Sequence, residues 1–147
     1  MGAVADGALA AGGNVIGILP RFMEKLEWGH NGVTELRLVE DMRTRKHLML
    51  KDANAVVALP GGCGTFEELF EAITLKRLAL YLNPIVIVNT RRFFDPMIQM
   101  LESAIEEKFM GPEHANMWSV VAEPEEVPEA IANAPKWSAE ARTFAGQ

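Results

Sequence analysis

A chain of 147 residues with 49% apolar side chains has room for one hydrophobic core and little for two. Its net charge of −6 sets it apart from domains that hold nucleic acid through a general positive field. No apolar run nears the roughly 20 residues of a membrane span, the N-terminus lacks a signal peptide's basic flank, and a lone cysteine, Cys63, fits a reducing, cytoplasmic compartment.

In chain order, "MGAVADGALAAGG" predicts a helix stopped by Gly12-Gly13, with no strand before it to pack on. Either an upstream portion precedes it or one edge of the sheet is bare. "NVIGILP" (14–20), "AVVALP" (55–60) and "PIVIVNT" (84–90) are nearly continuous apolar runs, the pattern of parallel strands covered on both faces. "WSVVAE" (118–123) is a fourth strand candidate, and "TELRLVED" (34–41), which alternates more, a less buried fifth. Residues 43–52, 65–82, 95–108 and 124–133 have helical patterns, with Asp95-Pro96 and Glu123-Pro124 as starts. The alternation predicts an α/β chain, a three-layer doubly wound parallel sheet of Rossmann-like type formed by one domain over 1–135, with 136–147 as a tail expected to fray.

Several features have plain structural explanations. The helix "LFEAITLKRLALYL" is more apolar than one sheet contact requires; core comes first and a dimer face second. Trp28, Trp118 and Trp137 are too scattered for a base-stacking platform, and His30, His47 and His114 stand singly, as surface or satisfied core residues. "MRTRKHLMLK" (42–51) places Arg43, Arg45, Lys46 and Lys51 in ten positions, with Arg37 just upstream. A basic island on an acidic protein suits one anionic ligand more than a polyanion.

The densest signal is "ALPGGCGTFEELFEAI" (58–73). A strand ending at Pro60, glycines at 61, 62 and 64, and a helix opening at Thr65 place the motif at the carboxyl end of a parallel strand, where open α/β sheets bind ligands. Glycines let a ligand touch the backbone, and the N–H groups of a helix start hold phosphate. The bland alternative is a tight turn with "TFEE" as a capping box, in which Thr65 and Glu68 satisfy each other's backbone donors. No Lys-Ser/Thr follows the glycines, which excludes a Walker A loop, and Glu67 occupies the third glycine position of the dinucleotide fingerprint. Cys63 near a helix start is conceivable as a thiolate, but no His or Asn partner is placed by sequence.

With "MRTRK" some twenty residues ahead of "PGGCGTFEE", the chain resembles the LOG (Lonely Guy) family of cytokinin-activating phosphoribohydrolases, whose members often carry a lysine decarboxylase label. Residues 60–68 match the family's PGGxGTxxE at every fixed position. The companion motif, commonly Met-His-x-Arg-Lys, is Met42-Arg43-Thr44-Arg45-Lys46 here, with arginine for histidine. Family members also carry a further strand, helix and strand upstream, with Met1-Gly2 corresponding to the last two residues of a GGGxxGLMG turn, so the expected fold is N-terminally shortened.

The resemblance implies that Arg45 and Glu68 are catalytic, that Gly61, Gly62, Gly64 and Thr65 hold a 5′-phosphate assisted by Lys46, and that Glu27 and Thr74 line the pocket. The implied reaction is hydrolysis of the N-glycosidic bond of a purine nucleoside 5′-monophosphate, adenosine or cytokinin type, by a homodimer without metal or other cofactor. The alternative is a nucleotide-binding module of the same fold without catalysis. Glu68, in the first turn of its helix, is expected to be stabilised as the anion, and Arg45 to act by charge alone. A lysine decarboxylase would need a pyridoxal phosphate site, which the sequence does not display. Neither nucleic acid nor membrane is an expected partner.

Overall fold

Among the described residues every strand pair is parallel, and the strands form two sheets, of two and three strands. The computed structural model describes residues 1–24 and 29–143, and the chain divides into two units, Met1–Asp52 and Ala53–Gln147. Parallel strands alternating with helices make each unit α/β, consistent with a Rossmann-like fold.

In the first unit, helix α1 (Gly2–Ala10) stops where the glycines predict. Gly12 takes φ 76°, and the N–H groups of Gly12 and Gly13 return to the carbonyls of Leu9 and Ala8 at 3.0 and 2.8 Å, a Schellman ending. Strand β1 (Ile16–Pro20) pairs with β2 (Glu35–Val39), Ile16 opposite Glu35 and Pro20 opposite Val39. The short helix α2 (Arg21–Glu24) follows β1 directly. Helix α3 (Met42–Lys51) is capped by Asp41, whose carboxylate accepts the Thr44 N–H at 2.7 Å. That bond explains why the helix starts a residue earlier, and β2 stops two residues earlier, than the patterning predicts.

In the second unit, β3 (Val56–Ala58), β4 (Ile85–Val88) and β5 (Ser119–Val121) form a sheet with β4 in the middle, Val57 opposite Val86 and Ile87 opposite Val120. All four β4 residues are buried, as a central strand requires. Cover on both faces, expected of three runs, holds only there. Ile16 of β1 and Val57 of β3 are 49% and 41% exposed, because an edge or two-stranded position leaves a face uncovered. Helix α4 (Cys63–Arg77) buries Leu69, Ala72, Ile73 and Lys76, an i, i+3, i+4, i+7 stripe, so most of its apolar surplus is core. Helix α5 (Asp95–Glu106) adds Met97 and Leu101, and Phe94 just before it is also buried.

Two helices end earlier than their patterns predict. After α4, Ala79 takes φ 53°, with the N–H groups of Ala79 and Leu80 returning to Lys76 and Leu75 carbonyls at 3.0 and 2.8 Å. After α5, Lys108 does the same at φ 64°. Both are Schellman endings without glycine, so the expected limits of 82 and 108 overrun them. Glu123 and Glu126 form a reciprocal capping box, followed by α6 (Val127–Ala132). In the segment where fraying is expected, the Trp137 indole donates to the Lys76 carbonyl at 2.7 Å and Ala141 is buried. No helix among the described residues is long and apolar enough to cross a membrane.

Candidate functional site

The glycine segment lies where the sequence places it, between the carboxyl end of β3 and the start of α4, but its local geometry differs from a capping box. The helix begins at Cys63, not Thr65, with Gly62 as its N-cap at φ −94° and ψ −155°. Gly62 has no side chain to offer, so no side-chain cap forms, and Thr65 is already the third helical residue. The expected Thr65–Glu68 box is thereby overturned. The first-turn position of Glu68 is overturned too: no acidic residue lies in the first turn of α4, and dipole support fades beyond it.

Without a cap, the N–H groups of the opening turn have neither an intrahelical acceptor nor a side-chain acceptor at the N-cap. The contrast with α3 is direct, since there the Asp41 carboxylate occupies the equivalent place. An uncapped, positively polarised helix start is a ready anion site.

The three glycines divide by what a side chain would meet. A Cβ on Gly61 would collide with Thr65 Oγ1 and come within 3.0 Å of Thr65 Cβ, so Gly61 is required for the close turn. At Gly62 and Gly64 a Cβ would meet nothing within 4 Å, and neither has positive φ. Packing within the chain therefore does not call for glycine at either. Open backbone at both positions lets a ligand's oxygen reach the N–H groups directly.

Arg45 and Lys46 lie in the first unit on α3, half-buried, and each has an interaction within the protein. Their neighbours Arg43, Thr44 and His47 are exposed. Gly61, Gly62, Gly64, Thr65 and Glu68 gather around the start of α4 in the second unit, Glu68 half-buried and engaged. Thr74 is exposed on the same helix, about 16 Å further along its axis, and is not brought to the glycine turn. Glu27 lies outside the described residues. Cys63 is exposed at the first helical position. Among the described residues no group of three or more His, Cys, Asp or Glu side chains could hold a metal ion.

The flank of the turn was not singled out from the residues alone. A recess of about 360 Å³ is lined by Pro60, Thr90, Arg91 and Phe93, where β3 and β4 end. The signal was present in "NTRRFFDP" (89–96): the carboxyl-end rule that singled out the glycines after β3 applies equally to two arginines after β4. Lys76 was missed as well. It is 1% exposed, donates to the Asn83 carbonyl at 2.8 Å, and burial pushes its amine down to about 8.

A family model described as "Possible lysine decarboxylase" matches residues 1–131. The cytokinin riboside 5′-monophosphate phosphoribohydrolase of Rhodococcoides fascians is 42% identical over 113 residues, covering 76% of this chain and 57% of that protein. LOG3 of Arabidopsis thaliana, with the same activity in its name, is 38% identical over 112 residues, covering 76% of this chain and 52% of its own. LOGL2 of Oryza sativa subsp. japonica, named a probable member of that activity, is 32% identical over 131 residues, 89% of this chain and 54% of its own. The chain spans about half the length of the curated relatives it matches.

Proposed function

The chain belongs to the LOG family, the one whose model is described as possible lysine decarboxylase, and from that premise we propose that it hydrolyses the N-glycosidic bond of a purine nucleoside 5′-monophosphate. The products are the free base, adenine or a cytokinin-type adenine, and ribose 5-phosphate. The observation that carries the proposal is the start of α4: an uncapped helix whose Gly62 and Gly64 are open toward solvent rather than packed. In it the 5′-phosphate is held by Gly61, Gly62, Gly64 and Thr65 with help from Lys46, and Glu27 and Thr74 belong to the substrate's surroundings.

In the proposed reaction, water adds to the anomeric carbon as the C–N bond breaks, and the base leaves with a proton. The sugar passes through an oxocarbenium-like state, which a nearby carboxylate stabilises. Glu68 takes that role, steadying positive charge on the sugar and orienting the water. Arg45 keeps its proton at ordinary pH, so it acts through charge, on the phosphate or the departing base. Residues 1–135 act as one nucleotide-binding domain, as a homodimer, in the cytoplasm. Exposed Leu80 and Phe109, at 62% and 74%, are apolar surface of the kind a second copy covers.

The test is incubation with AMP and with isopentenyladenosine monophosphate, following free base by chromatography, with Glu68→Ala alongside. Base released by the wild type, and reduced by a factor of ~10²–10³ or more in the variant, is the expected result. Nucleotide binding without any release sinks the hydrolase and leaves the non-catalytic nucleotide-binding module.

A further inference from the structure

The turn after β4 is built with unusual care for an exposed loop. Arg91 and Arg92 both take left-handed backbone conformations, at φ 54° and 61°, which favour glycine or asparagine and cost an arginine free energy. Asn89 holds the turn in place. Its side-chain oxygen accepts the Phe94 N–H at 2.7 Å, its amide donates to Asp95 at 2.8 Å, and its carbonyl accepts the Arg92 N–H at 2.8 Å. Behind it, Phe93 stacks on Phe66 of α4 with ring centroids 6.3 Å apart and meets Phe94 edge-on at 5.0 Å.

The two arginines then diverge. Arg92 donates to Asp95 at 2.6 Å and is neutralised there. The Arg91 side chain makes no hydrogen bond or ion pair among the described residues. It lines the recess with Pro60, the residue just before Gly61, and with Thr90 and Phe93. Acidic and basic side chains balance in residues 1–52, so the whole net charge of −6 falls on residues 53–147. That half as a whole repels anions, so an unpaired guanidinium held beside the glycine turn is the local group that can attract one.

We propose that Arg91 is a specificity-determining residue that binds the substrate's phosphate from the flank of the Gly61–Gly64 turn. The inference rests on the phosphate-binding role of that turn and adds a charged ligand group from a different strand end. A guanidinium suits the purpose because its planar fork donates two parallel hydrogen bonds to phosphate oxygens. A nucleoside without phosphate would gain nothing from it, so Arg91 selects nucleotides over nucleosides.

Arg91→Gly separates binding from folding, because glycine fits the left-handed backbone and relieves its strain. The melting temperature is expected to hold or rise while AMP affinity, measured by calorimetry, falls ~10- to 100-fold. Adenosine affinity stays within about twofold. Arg91→Gln keeps the strained backbone and a polar, though shorter, side chain but removes the charge. It must repeat the loss for AMP, and does so whatever the glycine variant does to stability. AMP binding equal to wild type in Arg91→Gln overturns the proposal while leaving the phosphate turn standing. Equal losses for AMP and adenosine overturn it too, since the phosphate is then not what Arg91 binds. A wild type that binds neither AMP nor inorganic phosphate removes the phosphate-turn premise and this inference together.

Discussion

Replacing Lys76 by methionine should make the protein more stable at neutral pH, although it deletes a hydrogen bond. Lys76 is 1% exposed, with the Asn83 carbonyl at 2.8 Å as its acceptor. Burial lowers its pKa from 10.5 to about 8, which corresponds to about 3 kcal/mol of opposition to folding while the amine is charged. The sign follows from proton counts. Between pH 8 and 10.5 the unfolded chain keeps the proton that the folded chain has released, so stability rises with pH across that window and the penalty is fully present below it. Methionine removes the penalty and forfeits a hydrogen bond of about 1–2 kcal/mol to an exposed residue, leaving a net gain of about 1–2 kcal/mol at pH 7. Urea denaturation of wild type and Lys76→Met from pH 7 to 10.5 measures this, the difference between the two curves cancelling all other groups. The difference should shrink steadily above pH 8 and change sign by pH 10.5, where only the lost hydrogen bond remains. Parallel curves over the whole range would mean that burial does not depress the Lys76 amine. Above pH 10.5, where Lys76 adds nothing more, both proteins should weaken, because burial pushes the Tyr81 hydroxyl up to about 12 and the unfolded chain loses its proton first.

Gly64→Ala should raise the melting temperature slightly, since alanine is the better helix residue by up to about 1 kcal/mol and its methyl meets no neighbour; it should also weaken AMP binding at least severalfold. Unchanged AMP affinity would mean that nothing approaches that backbone. Lys108→Gly should stabilise by about 1 kcal/mol, because an exposed side chain is exchanged for free access to φ 64°. Ala79→Gly should gain less by the same denaturation assay, since the buried Ala79 methyl is lost with the strain.

The order of strands and helices was legible from the residues alone, because apolar runs of strand length between helix-period segments leave few other architectures. So was the position of the glycine turn at a strand's carboxyl end, and the end of α1, where Gly12 supplies the left-handed residue that a Schellman ending needs. The matching ends of α4 and α5 were not legible. Ala79 and Lys108 adopt the same conformation against their own preference, and only the surrounding structure can impose that. For the same reason the "TFEE" match predicted a cap that does not exist: the chain folds Gly61 against Thr65 and starts the helix two residues sooner. Which glycines are packed and which lie open, and which of two adjacent arginines is neutralised, depends on how the backbone is held: Gly61 turns in against Thr65, and the turn after β4, with Phe93 stacked on Phe66, brings Arg92 and not Arg91 to Asp95. Residue type set the elements and their punctuation, whereas tertiary contacts decided which polar groups are left available for a ligand.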